Sequence, residues 1–124
     1  MLGTAKIVAF MAVRDHHRAR EFYETALGLP WVKENESAAE FDANGIMQRV
    51  ATVLEFQSAS FTVLGWQVRD IKASVRDLER RGVRFQRYSG LQQDAQAIWT
   101  SPANAKVAWF KDPDGNLLSL TEFA

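Results

Sequence analysis

The chain reads as an α+β fold, two tandem βαβββ modules curled into a partial barrel around a cleft. Three observations predict it. Val13-Arg14-Asp15 recurs as Val68-Arg69-Asp70, and each copy ends an apolar run and opens a segment with helical spacing. Gly28 and Gly82 follow those segments where a C′ glycine would stop a helix. The interval from Asp15 to Asp70 and that from Gly28 to Gly82 differ by one residue, the agreement expected of an internal duplication.

Each element follows from its residues. Ile7 to Val13 is the first strand. Asp15 is placed to cap a helix, because a short carboxylate accepts from the free N–H groups of the first turn. Ala19, Phe22, Tyr23, Ala26 and Leu27 then form one apolar helical stripe. Strands follow at Trp31–Glu36, Ala38–Ala43 and Ile46–Phe56, with Asn44-Gly45 as a hairpin turn. The second copy runs from a strand at Phe61–Val68 through the Asp70 cap to a stripe of Ile71, Val75 and Leu78. Its strands are Phe85–Tyr88, Ala97–Ser101, Lys106–Phe110 and Leu117–Glu122, with polar loops at Ser89–Ala95 and Pro102–Ala105. In Asp112-Pro113-Asp114-Gly115, Pro113 presets φ and Gly115 accepts positive φ, so the chain reverses there. No linker or low-complexity tract divides the copies. We read one domain, 1–124, with modules of about 1–57 and 58–124. A helix on one face of a mixed sheet leaves the other face open, and two such sheets can enclose a cleft.

Composition narrows the function. With 15 basic and 15 acidic residues the formal net charge is zero, which argues against nucleic-acid or membrane-surface binding by bulk electrostatics. Apolar content of 47% and charged content of 24% are those of a globular domain. The absence of Cys excludes disulfides, thiolate metal sites and Cys nucleophiles. No run approaches ~18 apolar residues, so no membrane-spanning helix is expected. Arg14-Asp15-His16 interrupts the first apolar run too early for a secretion signal, and the expected location is cytoplasmic.

Three stretches carry a family resemblance: Arg18-Ala19-Arg20-Glu21-Phe22-Tyr23-Glu24-Thr25-Ala26-Leu27-Gly28-Leu29, Val68-Arg69-Asp70-Ile71, and Lys111 to Leu120. In this order and spacing the chain resembles the vicinal oxygen chelate superfamily of glyoxalase, bleomycin resistance and extradiol dioxygenase proteins. Members that bind a metal use four side chains, two per module, usually His or Glu. The resemblance puts those positions at Val8 and Val63, seven residues ahead of each capping Asp, at Ser119, four after the hairpin Gly, and at Arg49 in the first module. Val has no donor atom and a permanently cationic Arg repels a cation, so no metal is expected there. A one-residue shift in register brings in only further apolar residues or Thr62. The metal-dependent isomerase and dioxygenase mechanisms go with the site.

Period two along the strands then assigns the cleft. Val8, Phe10 and Ala12, Met47, Arg49 and Ala51, Phe61, Val63 and Gln67, and Leu117, Ser119 and Thr121 are expected to face it. Ala108 and Phe110 are expected to join them across the last hairpin, while Ile7, Leu64, Trp66, Trp109, Leu118 and Leu120 pack under the helices. The candidate ligand contacts are Phe10, Arg49, Phe61, Gln67, Phe110 and Ser119: aromatic faces, two polar groups and one cation for an anionic group. His16 and His17 are expected to face solvent, and adjacent helical residues diverge, so they do not read as a metal pair.

Three functions fit these residues. The leading one is a metal-independent protein that binds a small organic molecule, aromatic or anionic, without cofactor or reaction. Its resemblance to bleomycin-resistance proteins implies a homodimer. The alternative is a glyoxalase- or dioxygenase-like lyase or isomerase drawing metal ligands from other positions, such as Glu40, Glu55 or His16. A third is an accessory module whose cleft is filled by its own side chains.

Overall fold

Residues 1–124 are described by a computed structural model. The chain forms two compact units, Met1–Gln57 and Ser58–Ala124, and each holds one mixed four-stranded sheet and one main helix.

In the first unit a 3-10 turn at Leu2–Thr4 precedes β1 (Val8–Val13). Helix α1 (His16–Arg20) continues as a π-helical turn at Glu21–Ala26, and β2 (Trp31–Glu34), β3 (Ala38–Ala43) and β4 (Ile46–Thr52) follow. The sheet order is β1-β4-β3-β2, with β1 parallel to β4 and the remaining pairs antiparallel. Parallel neighbours require a long crossover, and the helix with the β2–β3 hairpin supplies it.

Local chemistry sets the boundaries. The Asp15 carboxylate accepts from the His17 N–H at 3.0 Å, which caps α1. The π turn closes when Leu27 N–H donates to Phe22 O at 3.0 Å, and Gly28 then takes φ +75° to end the helix. Strand β2 stops at Glu34, short of the expected Glu36. The Asn35 side chain accepts from Ser37 N–H and Ala38 N–H at 2.9 and 3.0 Å, and this turns the chain. Asn44 and Gly45 have φ of 54° and 91°, giving the two-residue hairpin between β3 and β4. Strand β4 ends at Thr52 rather than Phe56. Val53 N–H makes one last bond to Val13 O, and Glu55, at φ 57°, bends away.

The core of this unit lies under α1, against β3 and β4. Met11, Val13, Phe41 and Val50 are buried there with Tyr23, whose ring centroid is 5.9 Å from that of Phe41. One polar residue shares the row. Gln48, the register partner of Ala9 and Phe41, is fully buried, and neither its amide oxygen nor its amide nitrogen meets another protein group.

The second unit repeats the plan with β5 (Thr62–Gln67), α2 (Ile71–Arg80), β6 (Trp99–Thr100), β7 (Lys106–Lys111) and β8 (Leu117–Glu122). Its order is β5-β8-β7-β6, with β5 parallel to β8. The Asp70 carboxylate accepts from Ala73 N–H at 3.1 Å, and Glu122 Oε1 accepts from Ile71 N–H at 3.0 Å. Two free donors of the first turn are thereby satisfied. Ile71 and Val75 bury the inner stripe of α2, and Gly82 at φ +92° stops it. In the β7–β8 loop the buried Asp112 carboxylate accepts from Asp114 N–H, Asn116 N–H and Asn116 Nδ2 at 2.8–2.9 Å.

Two expected strands shrink. Of Phe85–Tyr88, only Phe85 pairs, in a single bridge to Phe110, and Gln86 N–H donates to Trp109 O at 2.8 Å. Beyond that the Gln93 side chain replaces a neighbouring strand. It accepts from Tyr88 N–H at 2.8 Å and donates to Gln86 O and Ala97 O at 2.9 Å. The expected Ala97–Ser101 strand is reduced to Trp99–Thr100. No helix is long and apolar enough to cross a membrane.

Two stability changes follow. Asp70→Ala lowers the urea-unfolding free energy by about 1 kcal/mol, and Asp70→Asn restores most of it, since the cap needs a side-chain oxygen rather than a charge. Gln48→Met raises stability by about 1–3 kcal/mol, the cost of an unpaired buried polar group, read from the urea midpoint at unchanged m.

Candidate functional site

Each helix covers one face of its sheet, and strand alternation sends the other side chains to the opposite, open face. On the first sheet the register partners Phe10↔Arg49, Arg49↔Glu40 and Glu40↔Lys33 make one row across all four strands. Phe10 is 70% exposed. Arg49 is half-buried, makes no ion pair, and with Lys33, Glu34, Asn35, Ala38 and Glu40 lines a depression of about 190 Å³. A cation beside an aromatic edge suits an anionic group carried on an apolar body.

On the second sheet Ser119 is the register partner of both Gly65 and Trp109, Thr121 of Gln67 and Val107, and Val107 of Trp99. Ser119, Gln67, Trp109 and Trp99 therefore share the open face. The Trp99 and Trp109 centroids lie 6.0 Å apart, and Tyr88 meets Trp109 edge-on at 5.7 Å. Tyr88 is held in place by its N–H bond to Gln93, and partial burial pushes its phenol above the ordinary value of 10.0. Gly65 leaves room for the Ser119 hydroxyl, because a Cβ at 65 would lie 2.7 Å from Ser119 Oγ.

The structure brings Phe10 and Arg49 together on one sheet, and Gln67 and Ser119 together on the other. Phe61 precedes β5 and is 67% exposed. Phe110 does not join them. With Ala108 it lies on the helix-covered face, fully buried, its centroid 6.3 Å from that of Trp66 and 5.4 Å from that of Phe85. The pairing Lys111↔Leu117 encloses an odd number of loop residues, Asp112–Asn116, so Ser119 opposes Trp109, and Phe110 and Ala108 oppose Leu118 and Leu120 on the other face. The aromatic set Tyr88, Trp99 and Trp109 was thus missed. The loop length, read as a parity, was the signal for it.

Val8, Arg49 and Ser119 fall on open faces by this register, and Val63, exposed at 36%, lies at the irregularity between Thr62 and Leu64. The residues present do not fit a divalent cation. Two have no donor, one is a cation, and a lone hydroxyl does not hold a metal. Of the alternative ligands, Glu40 lies in the Arg49 row and Glu55 at an exposed bend, and neither joins a cluster of three metal-ligating side chains.

His16 corrects expectation. It is buried, at 1% exposure, because its backbone N–H donates to Thr52 Oγ1 at 3.0 Å while its ring spans from Thr52 Oγ1 (Nδ1, 2.7 Å) to the Asn35 carbonyl (Nε2, 2.9 Å). One side chain thus ties the start of α1, the end of β4 and the β2–β3 turn. The expected divergence of the pair is not found either. The His16 and His17 centroids are 4.1 Å apart, and both rings approach the Glu34 carboxylate.

The chain was compared with known proteins. It is 29% identical over 126 residues to YraH of Bacillus subtilis (strain 168), described as an uncharacterized protein, covering 89% of this chain and 91% of that one. The fold matches solved structures of glyoxalase/bleomycin resistance protein/dioxygenase superfamily members from Sphaerobacter thermophilus DSM 20745 and Alicyclobacillus acidocaldarius. The first has TM-score 0.73 and 23% identity, covering 98% of this chain and 99% of that one. The second has TM-score 0.73 and 17% identity, covering 97% and 92%. The family model described as Glyoxalase/Bleomycin resistance protein/Dioxygenase superfamily matches residues 6–120. Matched over nearly its whole length, and built from two modules of the same strand order, the chain belongs to the glyoxalase/bleomycin resistance protein/dioxygenase superfamily.

Proposed function

We propose that the protein binds a small, flat, partly apolar organic molecule on an open sheet face, and sequesters it without a metal and without chemistry. The observation that carries this reading is Trp109, flanked by Trp99 and Tyr88 on the face that also presents Ser119 and Gln67. Aromatic side chains stack on a planar ligand while a hydroxyl and an amide orient its polar edge. On the other sheet Phe10 and Arg49 offer a separate pair of contacts of their own, one apolar and one for a carboxylate. No open-face residue pairs a nucleophile with a base, which favours binding over turnover. The family resemblance extends the reading to a homodimer, and the balanced charge and composition extend it to a cytoplasmic protein without nucleic-acid or membrane partners.

The second reading, a lyase or isomerase with non-standard metal ligands, draws on the convergence of His16, His17 and Glu34. It requires turnover that a chelator abolishes and metal restores.

Tryptophan quenching by naphthoate and by neutral naphthamide tests the first reading. Trp109→Ala weakens both by roughly tenfold, as expected for the loss of a stacking partner of about 1.4 kcal/mol. Arg49→Ala weakens naphthoate about tenfold only where it is held on the first sheet, and leaves both probes' binding at Trp109 unchanged. Chelator changes neither. Binding indifferent to Trp109 would overturn the reading.

The phenol removed by Tyr88→Phe titrates above 10.0 in the ultraviolet difference spectrum. Because burial favours the neutral form, its contribution to stability is complete below pH 10 and is lost as pH rises through the raised value.

A further inference from the structure

We propose that His16 Nε2, His17 Nδ1 and Glu34 Oε2 form a binding site for a divalent transition metal, away from the positions at which the superfamily's ligands would fall. The three donor atoms lie within 4.8 Å of one another, with His16 Nε2 3.9 Å from Glu34 Oε2 and His17 Nδ1 in direct contact with the same oxygen. A zinc-sized cation with ligands at about 2.0–2.2 Å holds its donors roughly 3.3–3.6 Å apart, so His16 Nε2 and Glu34 Oε2 close by a fraction of an ångström while His17 Nδ1 swings off its contact with Oε2 to admit the cation between them. His17, with a side chain 64% exposed, is free to supply that adjustment. Two imidazoles and one carboxylate are the donor set of Zn²⁺, Co²⁺, Ni²⁺ or Cu²⁺, not of Mg²⁺ or Ca²⁺.

The support around the ligands is already in place. His16 is buried and fixed at the base of α1, and Glu34 is four-fifths buried at the end of β2, so two of the three ligands come from rigid elements. Neighbouring histidines converge because one uses its far nitrogen, Nε2, and the other its near one, Nδ1. In the metal-free protein His16 Nε2 carries the proton, because its partner, the Asn35 carbonyl, can only accept. On binding, the cation takes the Nε2 lone pair and the ring's single proton moves to Nδ1, where Thr52 Oγ1 stands at 2.7 Å to accept it. The Thr52 hydroxyl proton rotates away, and Oγ1 then accepts from both the backbone N–H and the ring of His16. A hydrogen-bonded second nitrogen is what orients a metal-bound histidine. His17 makes the same exchange, releasing Nδ1 to the metal and carrying its proton on Nε2. The Asn35 carbonyl, 2.9 Å from Nε2, is left as a nearby oxygen for a further coordination position.

The experiment uses untagged full-length protein, stripped with chelator and titrated with Zn²⁺ by calorimetry and with Co²⁺ by visible absorption. One metal per chain is expected. His17→Ala and Glu34→Gln each weaken binding at least tenfold. The thermal midpoint of the metal-free protein stays nearly unchanged, since the His17 side chain is 64% exposed and Gln keeps the shape of the Glu34 side chain. ¹⁵N spectra of the histidine rings report the tautomer independently. The His16 proton resides on Nε2 without metal and on Nδ1 with Zn²⁺. No binding at millimolar Zn²⁺, binding unaffected by both substitutions, or a His16 proton that stays on Nε2 would each overturn the proposal. Tryptophan quenching by naphthoate is read separately, so failure of this site leaves the ligand-binding reading intact.

Discussion

The parallel pairing of each module's first strand with its last is the constraint on which the rest depends. β1 lies beside β4, and β5 beside β8, so the chain must cross over one face of the sheet before it returns. The crossover contains the helix, and the helix can bury its stripe only against that face. One face of every module is therefore core, and the other is left for function. Arg49, Ser119 and Trp109 lie where they do because they occupy alternate positions on strands whose inner face is taken.

Polar side chains anchor this arrangement at its corners. The Asp15 and Asp70 carboxylates close the helix starts, Glu122 adds a second cap to α2, and Asp112 collects three donors inside the last hairpin. Gln93 stands in for a missing strand neighbour and so places Tyr88 against Trp109. His16 does the same for the first module, drawing the helix start, the β4 end and the Asn35 turn onto one ring. Each spends a side chain to satisfy backbone groups that regular structure leaves over. Gln48 is the exception, a buried amide that meets no protein group, and it lies beside Phe41 on the helix-covered face of the first sheet.

How far the molecule was legible depended on the range of the interactions. The capping aspartates, the stop glycines and the Asn44-Gly45 turn are settled within a few residues, and all appear in the structure as expected. The strand β8 appears with its expected bounds, Leu117–Glu122. The Phe85–Tyr88 strand was not legible, because its hydrogen bonds are taken by a glutamine several residues further along the chain. The faces of β7 were misassigned because strand alternation fixes a face only relative to a partner, and the partner depends on how many residues the turn holds. That single parity exchanged Phe110 for Trp109 and altered the composition of the open face.

From sequence alone came the duplication, the α+β class, the family resemblance and the lack of metal donors at Val8, Arg49, Val63 and Ser119. These rest on residue identity and on spacing along the chain. The tertiary structure decided the cross-strand register, hence the aromatic group at Trp99 and Trp109, and it decided the meeting of His16 and His17 with Glu34. Both depend on residues distant in sequence being brought to within a few ångströms. No local pattern carries such distances, since they are set by which strands pair and by how far each loop lets the chain return.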